Sequence, residues 1–485
     1  MRRGAVPRSA LAVMGAAMLL AAAWAWVDPV FAGAPDENAH ASWVQHFAET
    51  GGFGGGTRPG YASTEAAAAQ ASSAADIVTA VVGREPPRDA VTYRAWLAMP
   101  FSGEQRGDAA GPNPARNNPP LYYVVAAGPY RLGEGSDFFT RVLLSRLLGV
   151  LFIAGLVLAV WHLAGEVLGD GPGRVVATVV AGLMPMVGFV EGAVSPDALM
   201  YPLWAFVLLA GVRALRGEDR WILWLALGTG AAVATKYQSL TLLPGVLLVL
   251  AVAAYRHMTF VARRAARVAL LAGALVVAAV AIVVGGRHGW LGQQVQDVLA
   301  GHANGQSLPT RLREFLSYVW QFYLPRPPFL TKFGIPANVG FWDTDFRQYT
   351  GAFGWHEVKL AEWVYVSAAV VVVALVAGAA RAVAITGALR RHGLVLAFFA
   401  LVALSLFFSL HWTEYTMIKE SGTPFLQGRY FVPLNPLFAL VAGAAVGPGL
   451  ARWARVQATA AGVLVAGLFL LNLLSFHAVL DRFYA

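Results

Sequence analysis

The sequence predicts an all-α polytopic membrane protein, and three observations carry that expectation. Its 485 residues are 57% hydrophobic and only 13% charged, against roughly a quarter charged in an average soluble domain. Apolar runs of near-spanning length recur along the chain, enough for about eleven helices. Arginines collect in the connections between alternate runs, as the positive-inside rule requires. The formal charge of +9 is therefore read as topology, and no nucleic-acid partner is expected. The chain has no cysteine, which excludes disulfides and thiolate chemistry.

Taken in order, the spans are expected near 9–27, 142–165, 175–194, 198–213, 221–235, 238–255, 267–285, 363–380, 393–411, 430–448 and 456–475. The first follows a basic start and resembles a signal peptide, with Ala32-Gly33-Ala34 as a cleavage box. Pro35 directly after that box disfavours cleavage, so an uncleaved first helix is expected. With Arg2, Arg3 and Arg8 inside, the later cytoplasmic connections carry Arg174, then Arg213, Arg216 and Arg220, then Arg256, Arg263 and Arg264. Arg381, Arg390 and Arg391 follow, and last Arg452 and Arg455. The alternation holds throughout and places the N-terminus in the cytoplasm. Leu121–Leu132 is apolar but too short to span, and counting it would invert every later cluster. It is read as a juxtamembrane or re-entrant helix on the outer face.

Three stretches are then external. Residues 28–141 hold a glycine-rich turn (51–56), an alanine-rich helical pattern (64–82) and a Pro/Asn-rich approach (112–120). Residues 286–362 are rich in rings, and residues 412–429 form the third. The chain accordingly divides into a core, residues 1–285, an external aromatic-rich loop, 286–362, and C-terminal helices, 363–485.

The unusual polar residues all fall on this external side. Asp36, Glu37 and His40 open the first loop. Asp36 follows proline and precedes a helical pattern, so one reading is an N-cap; the cap does not explain Glu37 or His40. Asp36 and His40 share a helical face, and a divalent metal remains possible, although two ligands fall short of a site. Asp197 sits in Ser195-Pro196-Asp197, an orthodox helix start that is compatible with a place beside Asp36. Residues 221–255 must cross twice with only about 52 Å of helix, slightly less than two bilayer cores need. The turn should therefore be drawn inward, bringing Lys236 into a cavity where a cation suits a phosphate; snorkelling to headgroups is the other reading. Arg429 has the same two readings. Asp343, Asp345, His356 and Glu357 lie among rings that suit a sugar or an interfacial belt. Tyr122 and Tyr123 suit the interface as well.

The order and sidedness of these pieces resemble the GT-C superfamily of integral-membrane glycosyltransferases, which includes protein O-mannosyltransferases and the aminoarabinose transferase of lipid A. Asp36-Glu37 matches the acidic pair of its first external loop, and Asp197 its later acidic residue. Asn118-Pro119-Pro120-Leu121-Tyr122-Tyr123 matches a segment that often begins with His, and Thr235-Lys236 a Thr-Lys turn. More closely, PDENAH (35–40), SPDAL (195–199), GAFGW (351–355) and QGRYFVP (427–433) resemble uncharacterised bacterial membrane proteins related to that superfamily. Loop 286–362 has no clear counterpart in the better-known enzymes.

The resemblance implies an inverting transfer of sugar from a polyprenyl-phosphate donor to a glycan, lipid or protein acceptor, outside a bacterial plasma membrane. In that expectation Asp36 is the base, Glu37 its reserve, and Asp197 orients the acceptor or tunes the base. Lys236 and Arg429 meet the phosphate, and His40, Tyr122, Tyr123 and Tyr430 line the substrate. The alternative is a transporter or flippase of a lipid-linked glycan; it would place ionisable groups along helix middles, where this sequence has few. A non-catalytic scaffold would need no such cluster on one face.

Overall fold

The computed structural model describes residues 7–30, 33–52, 115, 118–136, 138–256, 308–326, 334–336 and 339–484. Among these, eight helical segments are long and apolar enough to cross a membrane, or nine if one bent pair counts as a single span. The expected span 267–285 and the alanine-rich pattern 64–82 lie outside the described residues.

The first span is α1 (Arg8–Val27). It is followed by α2 (Glu37–Thr50) and the short α3 (Leu121–Leu132). These two pack together: Tyr130 donates to Glu49 at 3.3 Å, and Arg131 to the Ala48 carbonyl at 2.8 Å. A long α4 (Phe138–Leu168) leads to the bent pair α5 (Pro172–Leu183) and α6 (Pro185–Glu191). The 49° bend falls at Met184-Pro185, where proline supplies no backbone donor to continue the ladder. Next come α7 (Pro196–Leu215), α8 (Arg220–Thr235) and α9 (Leu243–Arg256), the last entered through a 3-10 segment, Tyr237–Leu242.

After α10 (Leu308–Tyr323), a π-helical segment (Phe341–Arg347) leads into a two-stranded hairpin, β1 (Ala352–Phe353) against β2 (Val358–Lys359). Four further helices close the chain: α11 (Glu362–Thr386), α12 (Gly393–Ser421), α13 (Asn435–Val446) and α14 (Ala454–Tyr484). The helix α12 runs ten residues beyond the span expected at 393–411. His411, Thr413 and Glu414 are fully buried against protein, so their polarity does not end the helix.

Trp24 is the hub of the core. Its ring meets Phe189 at 5.4 Å, Phe353 of the hairpin at 4.9 Å and Phe476 at 4.5 Å. Where helices cross most closely there is no room for a side chain: a Cβ on Gly443 would lie 2.4 Å from the Gly173 carbonyl oxygen. Small residues at such crossings are the usual device of membrane bundles, where close packing replaces the hydrophobic drive. The helix ends sort by chemistry. The ends of α7 and α9 and the start of α12 bring Arg216, Arg256, Arg390 and Arg391 together, while the opposite ends of α7 and α8 meet at Asp197 and Lys236.

Candidate functional site

The site is built where α1 gives way to α2. Asp36 precedes α2 with φ of 64°, in the left-handed region, and makes no side-chain cap. A non-glycine residue held there is a strained position of the kind that clusters at functional sites. Its carboxylate turns instead to Arg429, which donates to Oδ2 at 2.8 Å and to the Pro35 carbonyl at 3.2 Å. The Asp36 side chain is 43% exposed, so it is open to solvent. Burial by itself would raise its pKa; Arg429, His40 and Lys236 outweigh that effect and hold the carboxyl below its ordinary value.

Its neighbour Glu37 has a different setting. It is fully buried and paired in a fork with Arg146, whose Nε reaches Oε1 at 2.6 Å and whose second arm reaches Oε2 at 2.5 Å. The Val194 backbone N–H also donates to Oε1 at 2.9 Å. Arg146 donates in addition to the carbonyls of Ala25 and Asp28. This knot ties the end of α1, the start of α2, α4 and the turn before α7 into one frame. Nothing in the sequence pattern marks Arg146, because it lies inside an apolar run and its partners are distant in sequence.

Asp197 begins α7 with its N–H donated to Ser195 Oγ at 3.3 Å, so the helix-start reading holds. Its carboxylate also receives Lys236 Nζ at 2.5 Å. Lys236 is the C-cap of α8 and lies 5.6 Å from the centre of the Tyr430 ring, as Arg429 does at 5.3 Å. Gln238 donates to the Tyr430 carbonyl at 2.7 Å and fixes that turn. His40 Nδ1 shares a hydrogen bond of 2.9 Å with Tyr123, whose ring meets Tyr122 edge-on. Burial drives the His40 pKa down to about 4, with Lys236 and Arg429 adding to the fall; its imidazole is neutral at ordinary pH. Asp36, His40, Asp197, Lys236, Arg429, Tyr430 and Tyr123 thus cluster at one end of the bundle, with Tyr122 and Glu37 packed beside them.

The segment before α11 reaches the same cluster. His356 sits on the hairpin with φ of 74°; among the described residues its ring nitrogens, Gln427 Oε1 and Arg429 Nε are buried without a well-formed hydrogen bond. Burial, then Arg429, push the His356 pKa down to about 3. Asp345 belongs to a separate chain of hydrogen bonds. Tyr323 joins its carboxylate at 2.8 Å to His411 Nε2 at 2.7 Å, and Tyr318 meets His411 Nδ1 at 2.8 Å. Burial raises the Asp345 pKa to about 7. Asp343 pairs with Arg347 at the surface. Among the described residues, no three His, Asp or Glu side chains converge as a metal site, and Asp36 is already engaged by Arg429.

These features define a multi-helix membrane protein with a charged cluster at one end of its bundle. The family model described as "Predicted membrane protein (DUF2142)" matches residues 18–438, and the chain belongs to that family. No curated protein matches the sequence. Among solved structures, the chain is similar to the Archaeoglobus fulgidus oligosaccharyltransferase in the apo form, with 13% identity and a TM-score of 0.47 over 98% of this chain. It spans 56% of that protein's length. It is also similar to ArnT from Cupriavidus metallidurans bound to undecaprenyl phosphate, with 12% identity and a TM-score of 0.45 over 97% of this chain and 77% of that one.

Proposed function

We propose that this protein is a membrane glycosyltransferase that moves a sugar from a polyprenyl-phosphate donor to an acceptor hydroxyl on the extracytoplasmic face. One observation carries the reading: Asp36, strained and turned from its helix toward Arg429, stands in the same cluster as the Asp197–Lys236 pair. Together they supply a carboxylate kept ionised and two cations at the end of the bundle opposite the arginine clusters. The sequence resemblance to GT-C enzymes supports the same reading, and the positive-inside pattern supports the sidedness.

The chemistry follows from these groups. Asp36 accepts the proton of the acceptor hydroxyl as that oxygen attacks the anomeric carbon. The new C–O bond forms on one face of the sugar while the bond to the phosphate oxygen breaks on the other, and the configuration inverts. Lys236 leaves Asp197 to meet the negative charge that grows on the departing polyprenyl phosphate. Arg429 holds Asp36 in place, and neutral His40, braced by Tyr123, accepts or donates to sugar hydroxyls. Glu37 keeps the frame rigid through Arg146.

The test is sugar release from a polyprenyl-phosphate-sugar donor by the purified protein in liposomes. Asp36→Asn should express and fold normally and lower the rate by at least about a thousandfold, in the range of losing a base together with its positioning. Full turnover in that variant removes Asp36 as the base. Movement of an intact glycolipid between leaflets, without sugar release, would establish the transporter instead.

A further inference from the structure

A charged cavity lies at the other end of the bundle. It measures about 480 Å³ and is lined by Arg216, Arg256, Arg390, Arg391, His392 and Leu394, with no carboxylate in its wall among the described residues. Its position is fixed by α7: Asp197 at the N-terminus of that helix is in the candidate site, and Arg216 just past its C-terminus is in this cavity. Twenty helical residues separate the two by about 30 Å, the thickness of a bilayer core.

The positive-inside rule accounts for arginines at these helix ends but not for their convergence. Four guanidinium groups arrive from three different parts of the fold, namely the exit of α7, the last residue of α9 and the turn before α12. Like charges gathered around one hollow repel one another, and the structure compensates only some of them. Glu166 takes one arm of Arg216 at 2.7 Å from outside the cavity, and Arg256 donates to the Ala214 carbonyl at 3.2 Å. Among the described residues, Arg390 and Arg391 have no carboxylate partner. Their surroundings are also apolar: Leu389 is 67% exposed and Leu394 is 46% exposed, beside the first turn of a spanning helix. A charged hollow rimmed by exposed leucines at a bilayer boundary is shaped for a molecule with an anionic head and an acyl body.

We infer that this cavity binds the phosphate headgroup of an anionic phospholipid in the leaflet opposite the candidate active site. The arginines take the phosphate oxygens as charge-assisted hydrogen bonds, and the acyl chains lie along Leu389 and Leu394. The inference does not depend on the sugar-transfer proposal.

The test uses the full chain, purified in detergent, stripped of lipid and titrated with phosphatidylglycerol or phosphatidylcholine under native mass spectrometry. Phosphatidylglycerol should bind more tightly. Replacing two surface charges, Arg390→Gln with Arg391→Gln, should weaken it by about thirtyfold, roughly fivefold per charge. Arg452→Gln with Arg455→Gln removes two arginines that do not line the cavity and should leave the preference intact. Equal losses in the two double variants would mean general surface attraction and overturn the site. So would the absence of any preference for phosphatidylglycerol. Displacement by inorganic phosphate at equal concentration would assign the cavity to a soluble anion and overturn the lipid. Independently of any variant, a photoreactive phosphatidylglycerol should label wild-type protein within residues 389–394; labelling confined to other helices refutes the assignment.

Discussion

At the residue scale, Glu37 and Arg146 show how adjacent acids acquire different work. Consecutive positions at a helix start point in different directions. Asp36 therefore opens to solvent while Glu37 turns into the protein, where its fork with Arg146 is 0% and 1% exposed. A buried pair of this kind contributes little net stability but is costly to break, because the survivor is left charged and dry. Arg146→Met should lower stability by roughly 3–5 kcal/mol. The double variant with Glu37→Gln should recover much of that loss. Unfolding of both variants in detergent checks this, and a double variant as weak as the single would show that the pair is not coupled. Arg429 differs in kind: its partner Asp36 is half-exposed, so Arg429→Lys should leave unfolding nearly unchanged. A lysine has no fork to hold both Asp36 and the Pro35 carbonyl, so sugar release should drop at least about tenfold if Asp36 is the base.

At the element scale, the π-helical segment before the hairpin is held to the 3-10 segment before α13 by backbone contact. Gly428 opens the 3-10 segment that carries Arg429, and a Cβ there would meet the Tyr349 nitrogen at 2.6 Å and the Asp345 carbonyl oxygen at 2.7 Å. Neither atom belongs to a flexible side chain, so the segments would have to separate. Gly428→Ala should cost about 1–3 kcal/mol, as overpacking usually does. It should also reduce turnover more than Arg429→Lys does, since it moves Arg429 and the π-helical segment together. A variant with wild-type turnover and stability would contradict this contact.

Much of the helical plan was legible in the sequence, because spanning runs and their flanking arginines follow directly from the bilayer's thickness and charge asymmetry. The short α3 and the turn carrying Lys236 between α8 and α9 were legible for the same reason. The polar candidates were found by sidedness, and the structure gathers them, but their pairing was not readable: Arg429 meets Asp36 across 393 residues. Arg146 and Gln238 gave no local signal. His356 was visible only as one polar residue among rings, and its placement depends on a hairpin whose strands have two residues each. The extension of α12 past His411 was hidden because a buried hydrogen-bond chain makes polar residues compatible with a helix interior.

At the scale of the whole molecule, buried titratable groups pull stability in opposite directions. His40 and His356 stay neutral in the fold down to pH values of about 4 and about 3. In the unfolded chain a histidine takes up its proton near pH 6.5. Their contribution therefore declines as pH falls below 6.5. Asp345 acts in reverse. The fold keeps its proton up to about pH 7, whereas the unfolded chain loses it near pH 4. Its cost accordingly grows as pH rises from about 4 to 7 and is complete above that. Asp345→Asn should remove this slope, so that the variant gains on wild type by a few kcal/mol at pH 8 and by almost nothing at pH 4. Thermal unfolding of both proteins across that interval measures the difference; parallel curves would mean that Asp345 is ionised throughout.

The seat of Phe353 against Trp24 has a bearing on access. A flap that must open for each turnover is normally anchored at its base and loose at its tip. Here Phe353, next to the tip, is packed against Trp24 in the last turn of the first helix and against Phe189, so raising it would uncover two aromatic partners at once. If the donor is the polyprenyl phosphate proposed above, no such trapdoor is needed: its isoprenoid tail would reach the site sideways from the oily phase, past a hairpin that stays fixed.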